Sequence, residues 1–119
     1  MRRLIKSFGY ALSGIIYTIK TQLNFRIHLV ALLLAGTAGW YFKLSSSEWL
    51  ALVLTVGLVL VAELLNTAIE LLVDLVSPEY NAVAGKVKDI AAGAVLVAAI
   101  IALFTGSIIF IPKFIGYAA

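Results

Sequence analysis

Three long apolar runs, Ile27–Phe42, Trp49–Val73 and Ile90–Ile111, decide most of what this chain can be. They are about 16, 25 and 22 residues long, and a bilayer core of roughly 30 Å takes about 20 helical residues. The first is slightly short and gains length from Phe25 and Leu44. Composition agrees. Of 119 residues, 63% are hydrophobic and 13% charged, against about half and about a quarter in soluble domains. The N-terminal stretch is amphipathic and no small-residue cleavage pattern follows the first apolar run, so no removable signal peptide is expected. A chain this short predicts one domain, 1–119.

Residues 1–24 place Leu4, Phe8, Leu12, Ile15, Ile16 and Ile19 mostly three or four apart, with Arg2, Arg3, Lys6, Ser13 and Lys20 between them. That pattern predicts an amphipathic helix lying in the membrane interface, and taken alone it reads as an anchor. Arg2, Arg3, Lys6, Lys20 and Arg26 precede the first span, and Lys86 and Lys88 lie between the second and third. Only Lys43 and Lys113 fall on the other side. Positive residues favour the cytoplasm, which predicts a cytoplasmic N-terminus and a cytoplasmic second loop. Ser77 and Pro78 end the second span, because proline cannot continue a helix interior. In the third span Ala94, Ala98, Ala102 and Gly106 recur every fourth residue, a spacing that lets two backbones approach closely. The expected fold is therefore an all-α membrane protein with one surface helix and three transmembrane helices, at about 27–44, 49–73 and 90–111. So thin a bundle shields interior polar groups poorly, and oligomerisation is the expected remedy.

The second span carries the chemistry. Within "AELLNTAIELLVD", at about 100° per residue and with Glu63 at zero, Asn66 lies near −60°, Glu70 near −20° and Asp74 near +20°. Thr67 falls on the same side, and leucines and Ile69 cover most of the rest. An acid at mid-membrane costs about 2.5–3.5 kcal/mol on insertion scales, and intramembrane carboxylates are functional by default. A lone Asn66 or Thr67 reads as helix-to-helix hydrogen bonding, but Glu63 and Glu70 together do not. They are separated by a rise of roughly 10 Å. A proton acceptor can then lie at the depth of a lipid hydroxyl while a metal ligand lies nearer water.

The loop "SPEYN" supplies Glu79, Tyr80 and Asn81, and "GKVKD" supplies Lys86, Lys88 and Asp89. "KVKD" alone is an ordinary interfacial flank. Joined to the acids of the second span, it suggests a site for Mg²⁺ and phosphates, since Mg²⁺ takes one or two carboxylates plus phosphate oxygens and lysines neutralise phosphoryl charge. The chain has no cysteine and one histidine, which excludes thiolate nucleophiles, Cys-based metal sites and a His cluster. There is no Walker A, kinase Gly-rich loop or HRD-type motif.

"AELLNTAIELLVDLVSPEYN" followed by "AGKVKDIAAGAVLVAAI", with "NFRIH" upstream, resembles the small bacterial integral-membrane diacylglycerol kinase and undecaprenol kinase family. The resemblance extends from "RLIKSFGYALSG" to the third span. It implies a homotrimer with active sites shared between protomers, in the bacterial inner membrane. It implies transfer of the γ-phosphate of MgATP to the primary hydroxyl of a membrane lipid alcohol. On the matching positions, Glu63 is implied as catalytic base and Asn66 as a residue that shapes the catalytic site. Glu70 is implied as a metal ligand. Glu79, Tyr80, Asn81, Lys88 and Asp89 are implied as the nucleotide-binding segment, with Glu70 and Gln22 facing the same nucleotide. Arg3 and Tyr10 are implied as further nucleotide contacts, which replaces the anchor reading of the first helix. Glu63 and Ala92 are implied at the lipid substrate. Position 22 departs from the pattern: members often carry Glu there, sharing the metal with the residue matching Glu70. Gln22 offers only a neutral carbonyl oxygen, which predicts weaker Mg²⁺ binding. His28 reads as an interfacial residue and not a ligand.

"NFRIH", "AAGAVLVAAI" and "FIPKF" look more like the undecaprenol-kinase branch, with diacylglycerol the runner-up substrate. No nucleic-acid partner is expected. A small oligomeric transporter using Glu63 to bind protons or cations is the alternative from another class, and it would leave the cluster from Glu70 to Asp89 idle. A purely structural bundle would tolerate Glu63→Gln.

Overall fold

A single residue of extended backbone separates the first two helices. The structure, a computed structural model, describes residues 1–118, and its helices are α1 (Arg2–Thr21), α2 (Leu23–Tyr41), α3 (Ser46–Val76) and α4 (Ala82–Ala118). Gln22 both ends α1 and opens α2, with φ −114° and ψ 110°. Its N–H donates to the Thr18 carbonyl at 2.9 Å, and its own carbonyl accepts from the Arg26 N–H at 3.3 Å. Arg26 Nη1 donates to the Lys20 carbonyl at 3.3 Å, supplying a partner that the end of a helix otherwise lacks. The turn therefore needs no loop. Residues 1–16 of α1 are exposed throughout, and Thr18 is its one buried side chain, as befits a helix lying on the surface of a bundle.

The α2–α3 turn is built differently. The Leu44 N–H reaches the Gly39 carbonyl at 3.1 Å and the Lys43 N–H reaches the Trp40 carbonyl at 3.3 Å, the paired closure of a Schellman motif. Lys43 takes the left-handed conformation, φ 55°. Leu44 folds back over Gly39 so closely that a methyl group on Gly39 would stand 2.9 Å from Leu44 Cδ1 and 2.7 Å from Trp49 Cη2. Ser45 then starts α3 with a capping box: its hydroxyl accepts from the Glu48 N–H and its N–H donates to Glu48 Oε1. Trp40, Tyr41, Phe42, Trp49, Phe110 and Phe114 gather at this end, with the Phe42 ring 6.4 Å from Phe110 and 6.2 Å from Phe114. Aromatic rings of this kind favour the membrane–water boundary.

α3 and α4 form an antiparallel hairpin pinned at both ends, by Lys113 with Glu48 at the aromatic end and by Lys88 with Asp74 at the other. Between the pins, Leu52 and Ile109 join Leu44 in the core, with Ala35, Trp49, Ala51, Val56 and Phe110 packed around it. On α4 the seam is Ala91, Ala98 and Ile109, buried, with Val95, Ala102 and Gly106 half-buried, whereas Ala94 is exposed. A strict four-residue row drifts about 40° per step around a helix, so the close-packed row mixes steps of three and four and leaves Ala94 outside it.

The third span expected from Ile90 lies inside a longer helix that starts at Ala82. Hydropathy marks contact with lipid, and Lys86, Lys88 and Asp89 interrupt the apolar pattern in the first two turns of α4 without interrupting the helix. α2, α3 and α4 are each long and apolar enough to cross a bilayer. Leu50, Leu54, Leu65, Leu96 and Leu103, each more than half exposed, are lipid-facing in a membrane protein and cost nothing there.

Candidate functional site

α3 sets the depth of every group that follows. Measured from Trp49 at the aromatic boundary, Glu63 is roughly 21 Å along the axis and Glu70 roughly 31 Å. Glu63 is thus inside the apolar layer, Glu70 at its far boundary, and Asp74 beyond it at the basic end of the bundle.

Glu63 is 2% exposed. Its side chain meets α2, where His28 Nε2 stands 3.2 Å from Glu63 Oε1. The pair is in ionic range, yet the ring N–H is not aligned on the oxygen, and Oε1 has no hydrogen bond. Thr67, also buried, donates its hydroxyl to the Glu63 carbonyl at 2.9 Å and so satisfies itself within α3. One turn on, Asn66 Nδ2 donates to Glu70 Oε1 at 3.1 Å. The Asn66 carbonyl oxygen is buried without a partner. Such orphaned oxygens are rare in folded proteins and mark sites where a ligand or ion completes the set.

The structure brings Glu63, Asn66 and Glu70 onto one face and adds His28 to them. It also carries Lys88 to this end of the bundle, where it pairs with Asp74 at 2.5 Å between half-exposed side chains. Asn81 opens α4: its Oδ1 accepts from the N–H groups of Val83 at 2.9 Å and Ala84 at 3.2 Å. That oxygen is committed to capping, which leaves the amide NH₂ for any ligand. Ser77 donates to the Glu79 carbonyl and tightens the loop, while Tyr80 is 95% exposed. Glu79, Asp89 and Ala92 are exposed as well. Arg3 and Tyr10 lie on the free part of α1, and among the described residues no hydrogen bond or ion pair joins them to α3 or α4. Gln22 is at the α1–α2 junction.

His28 is the residue that reading the sequence missed. The sequence reads it as interfacial, although it is an ionisable group inside an apolar run, the same signal that picks out Glu63. Its partner lies on another helix, and that pairing has no trace in the spacing of α2.

Among the described residues no group of three acidic or imidazole side chains gathers as a metal cage. The donors that the structure brings together here are nevertheless oxygen: the Glu70 carboxylate and the unpartnered Asn66 side-chain carbonyl. Such a set suits a hard cation that keeps waters and phosphate oxygens as its remaining ligands, as Mg²⁺ does. On the other side of His28 an apolar groove of about 610 Å³ runs between α2, α3 and α4, past Ala35, Val56 and Ala102 to Phe110.

The sequence matches the family described as prokaryotic diacylglycerol kinase over residues 9–110. Undecaprenol kinase of Bacillus subtilis is 42% identical over 113 residues, which cover 95% of this chain and 92% of that protein. Diacylglycerol kinase of a Synechocystis species is 43% identical over 114 residues, 95% of this chain but 65% of that longer relative. Diacylglycerol kinase of Escherichia coli is 36% identical over 107 residues, 90% of this chain and 88% of the relative.

Proposed function

This chain belongs to the prokaryotic diacylglycerol kinase family, and from that membership of a family of membrane lipid kinases we propose the reaction, the substrate and the residues that act. The chain transfers the γ-phosphate of ATP to the primary hydroxyl of a membrane lipid alcohol at the cytoplasmic face of the bacterial inner membrane. Undecaprenol is favoured and diacylglycerol is second. Relatives named for each alcohol match about equally, so the preference rests on "NFRIH", "AAGAVLVAAI" and "FIPKF".

The observation that carries this reading is a carboxylate buried to 2% exposure, one helical step from a polar cluster at the membrane boundary. The lipid hydroxyl approaches Glu63 from the bilayer. Glu63 takes its proton as the hydroxyl oxygen attacks the γ-phosphorus and the bond to the leaving ADP oxygen breaks. Glu70, with the carbonyl oxygens of Asn66 and Gln22, would hold Mg²⁺, which supplies charge neutralisation on the phosphates when bound. Lys88 steadies the phosphates, and Glu79, Tyr80, the Asn81 amide and Asp89 seat the nucleotide, with Ala92 beside the lipid. A homotrimer with sites shared between protomers gives Arg3 and Tyr10 a nucleotide to contact in a neighbouring chain. Most of the catalysis is positioning and charge stabilisation.

Purified chain, ATP and a panel of lipid alcohols test the reading. Undecaprenol turns over fastest, Glu63→Gln abolishes turnover with ATP affinity intact, and Lys88→Ala also raises the KM for ATP. Undiminished lipid phosphate from Glu63→Gln ends the proposal.

A further inference from the structure

We propose that His28 is a positioning residue for Glu63, holding one carboxylate oxygen so that the other faces the lipid hydroxyl. The inference rests on the reading of Glu63 as the proton acceptor and extends it to a second helix. A carboxylate at 2% exposure needs partners, because a buried charge without them is costly. Two groups approach Glu63. Thr67 bonds only its backbone carbonyl, so it leaves the carboxylate free to turn about its side-chain torsions. His28 Nε2 is the one group that reaches a carboxylate oxygen, at 3.2 Å from Oε1. No other charged side chain among the described residues is in ionic range of it.

The location fits the task. The His28 side chain keeps 26% of its surface exposed, against 3% for that of Glu63, and among the described residues His28 is the only ionisable one lining the apolar groove. The ring therefore has room to swing its N–H into line with Oε1. Asn66 turns its NH₂ toward Glu70 and away from Glu63, so α3 supplies no substitute donor. A misplacement of about 1 Å at a reacting group costs up to a hundredfold in rate, which sets the scale of the effect.

A purely structural ion pair makes a different prediction. It would cost folding stability on loss of His28 and leave turnover per folded molecule unchanged. Two replacements separate these cases: His28→Leu removes the donor, and His28→Gln keeps an N–H donor of similar reach that does not titrate. The full chain in mixed micelles is assayed with ATP and with 1,2-dioleoylglycerol or undecaprenol, whichever the wild type phosphorylates faster, and thermal unfolding is followed in parallel. Positioning predicts that His28→Leu lowers kcat by about tenfold to a hundredfold with the KM for ATP unchanged, and that His28→Gln restores kcat to within about threefold of wild type. The proposal is overturned if His28→Leu keeps its kcat, or if His28→Gln is as impaired as His28→Leu. Where His28→Leu fails to fold, His28→Gln decides alone: near-normal kcat supports the proposal and a tenfold loss overturns it. Glu63→Gln, run alongside, separates the two readings. Its full activity removes the proton-acceptor role and this inference together, whereas its collapse beside normal His28 variants removes this inference only.

Discussion

Asp74 holds Lys88, the lysine proposed to steady the phosphates, and Asp74→Asn should release it. Lys88 Nζ is bonded to Asp74 Oδ1, with side chains 40% and 62% exposed respectively. A pair this open is screened by water, and exposed pairs are worth about 0.2–1 kcal/mol. If Lys88 must leave Asp74 to meet the phosphates, that energy is subtracted from ATP binding. Removing it lowers the KM for MgATP by roughly 1.4- to 5-fold, and kcat stays the same because the bound state is unchanged. Loss of a negative charge near the phosphates acts in the same direction. Salt provides an internal check: the Debye length falls from about 10 Å at 0.1 M toward 3 Å at 1 M, so the gap between variant and wild type narrows as salt rises. Steady-state kinetics at two salt concentrations measure both quantities. A Lys88→Ala background closes the cycle, since Asp74→Asn should then gain far less. An unchanged or higher KM in Asp74→Asn, or the same gain without Lys88, refutes the reasoning.

Gln22→Glu restores a negative charge at the α1–α2 junction and should lower the Mg²⁺ concentration needed for half-maximal activity; an unchanged Mg²⁺ dependence removes Gln22 from the metal site. Lys43→Gly relieves a left-handed backbone conformation and should stabilise the folded chain by about 1 kcal/mol, read as a higher unfolding temperature in detergent. Gly39→Ala should destabilise by about 1–3 kcal/mol, because the added methyl meets Trp49 at 2.7 Å; a melting temperature equal to wild type would mean that the ring moves freely aside.

The spans and the polar stripe were legible from the sequence for the same reason: each is a property of one helix. Bilayer thickness fixes a length, and 100° per residue fixes which of Glu63, Asn66, Glu70 and Asp74 share a face. What escaped depends on how helices meet. His28 finds Glu63 only because α2 crosses α3 at that level. Ala94 lies off the packed seam because the buried row on α4 mixes steps of three and four and does not keep a fixed four. Asn81 carries two signals at once, a loop residue suited to a nucleotide and a helix cap, and its oxygen is used for the cap. The beginning of α4 was hidden because polar residues conceal a helix from any measure of oiliness.

The break at Gln22 makes α1 a paddle on a swivel. Its twenty residues span roughly 30 Å, so a 10° change in one torsion at Gln22 sweeps the far tip by roughly 5 Å. Little internal packing resists that motion, since Thr18 is the one side chain of α1 that the bundle encloses. Arg2, Arg3 and Lys6 ride toward the tip, so the angle at Gln22 sets where this positive charge comes to lie. A basic arm on one hinge would follow the charge of any surface it lies against, so the height of the tip and the charge beneath it are one variable.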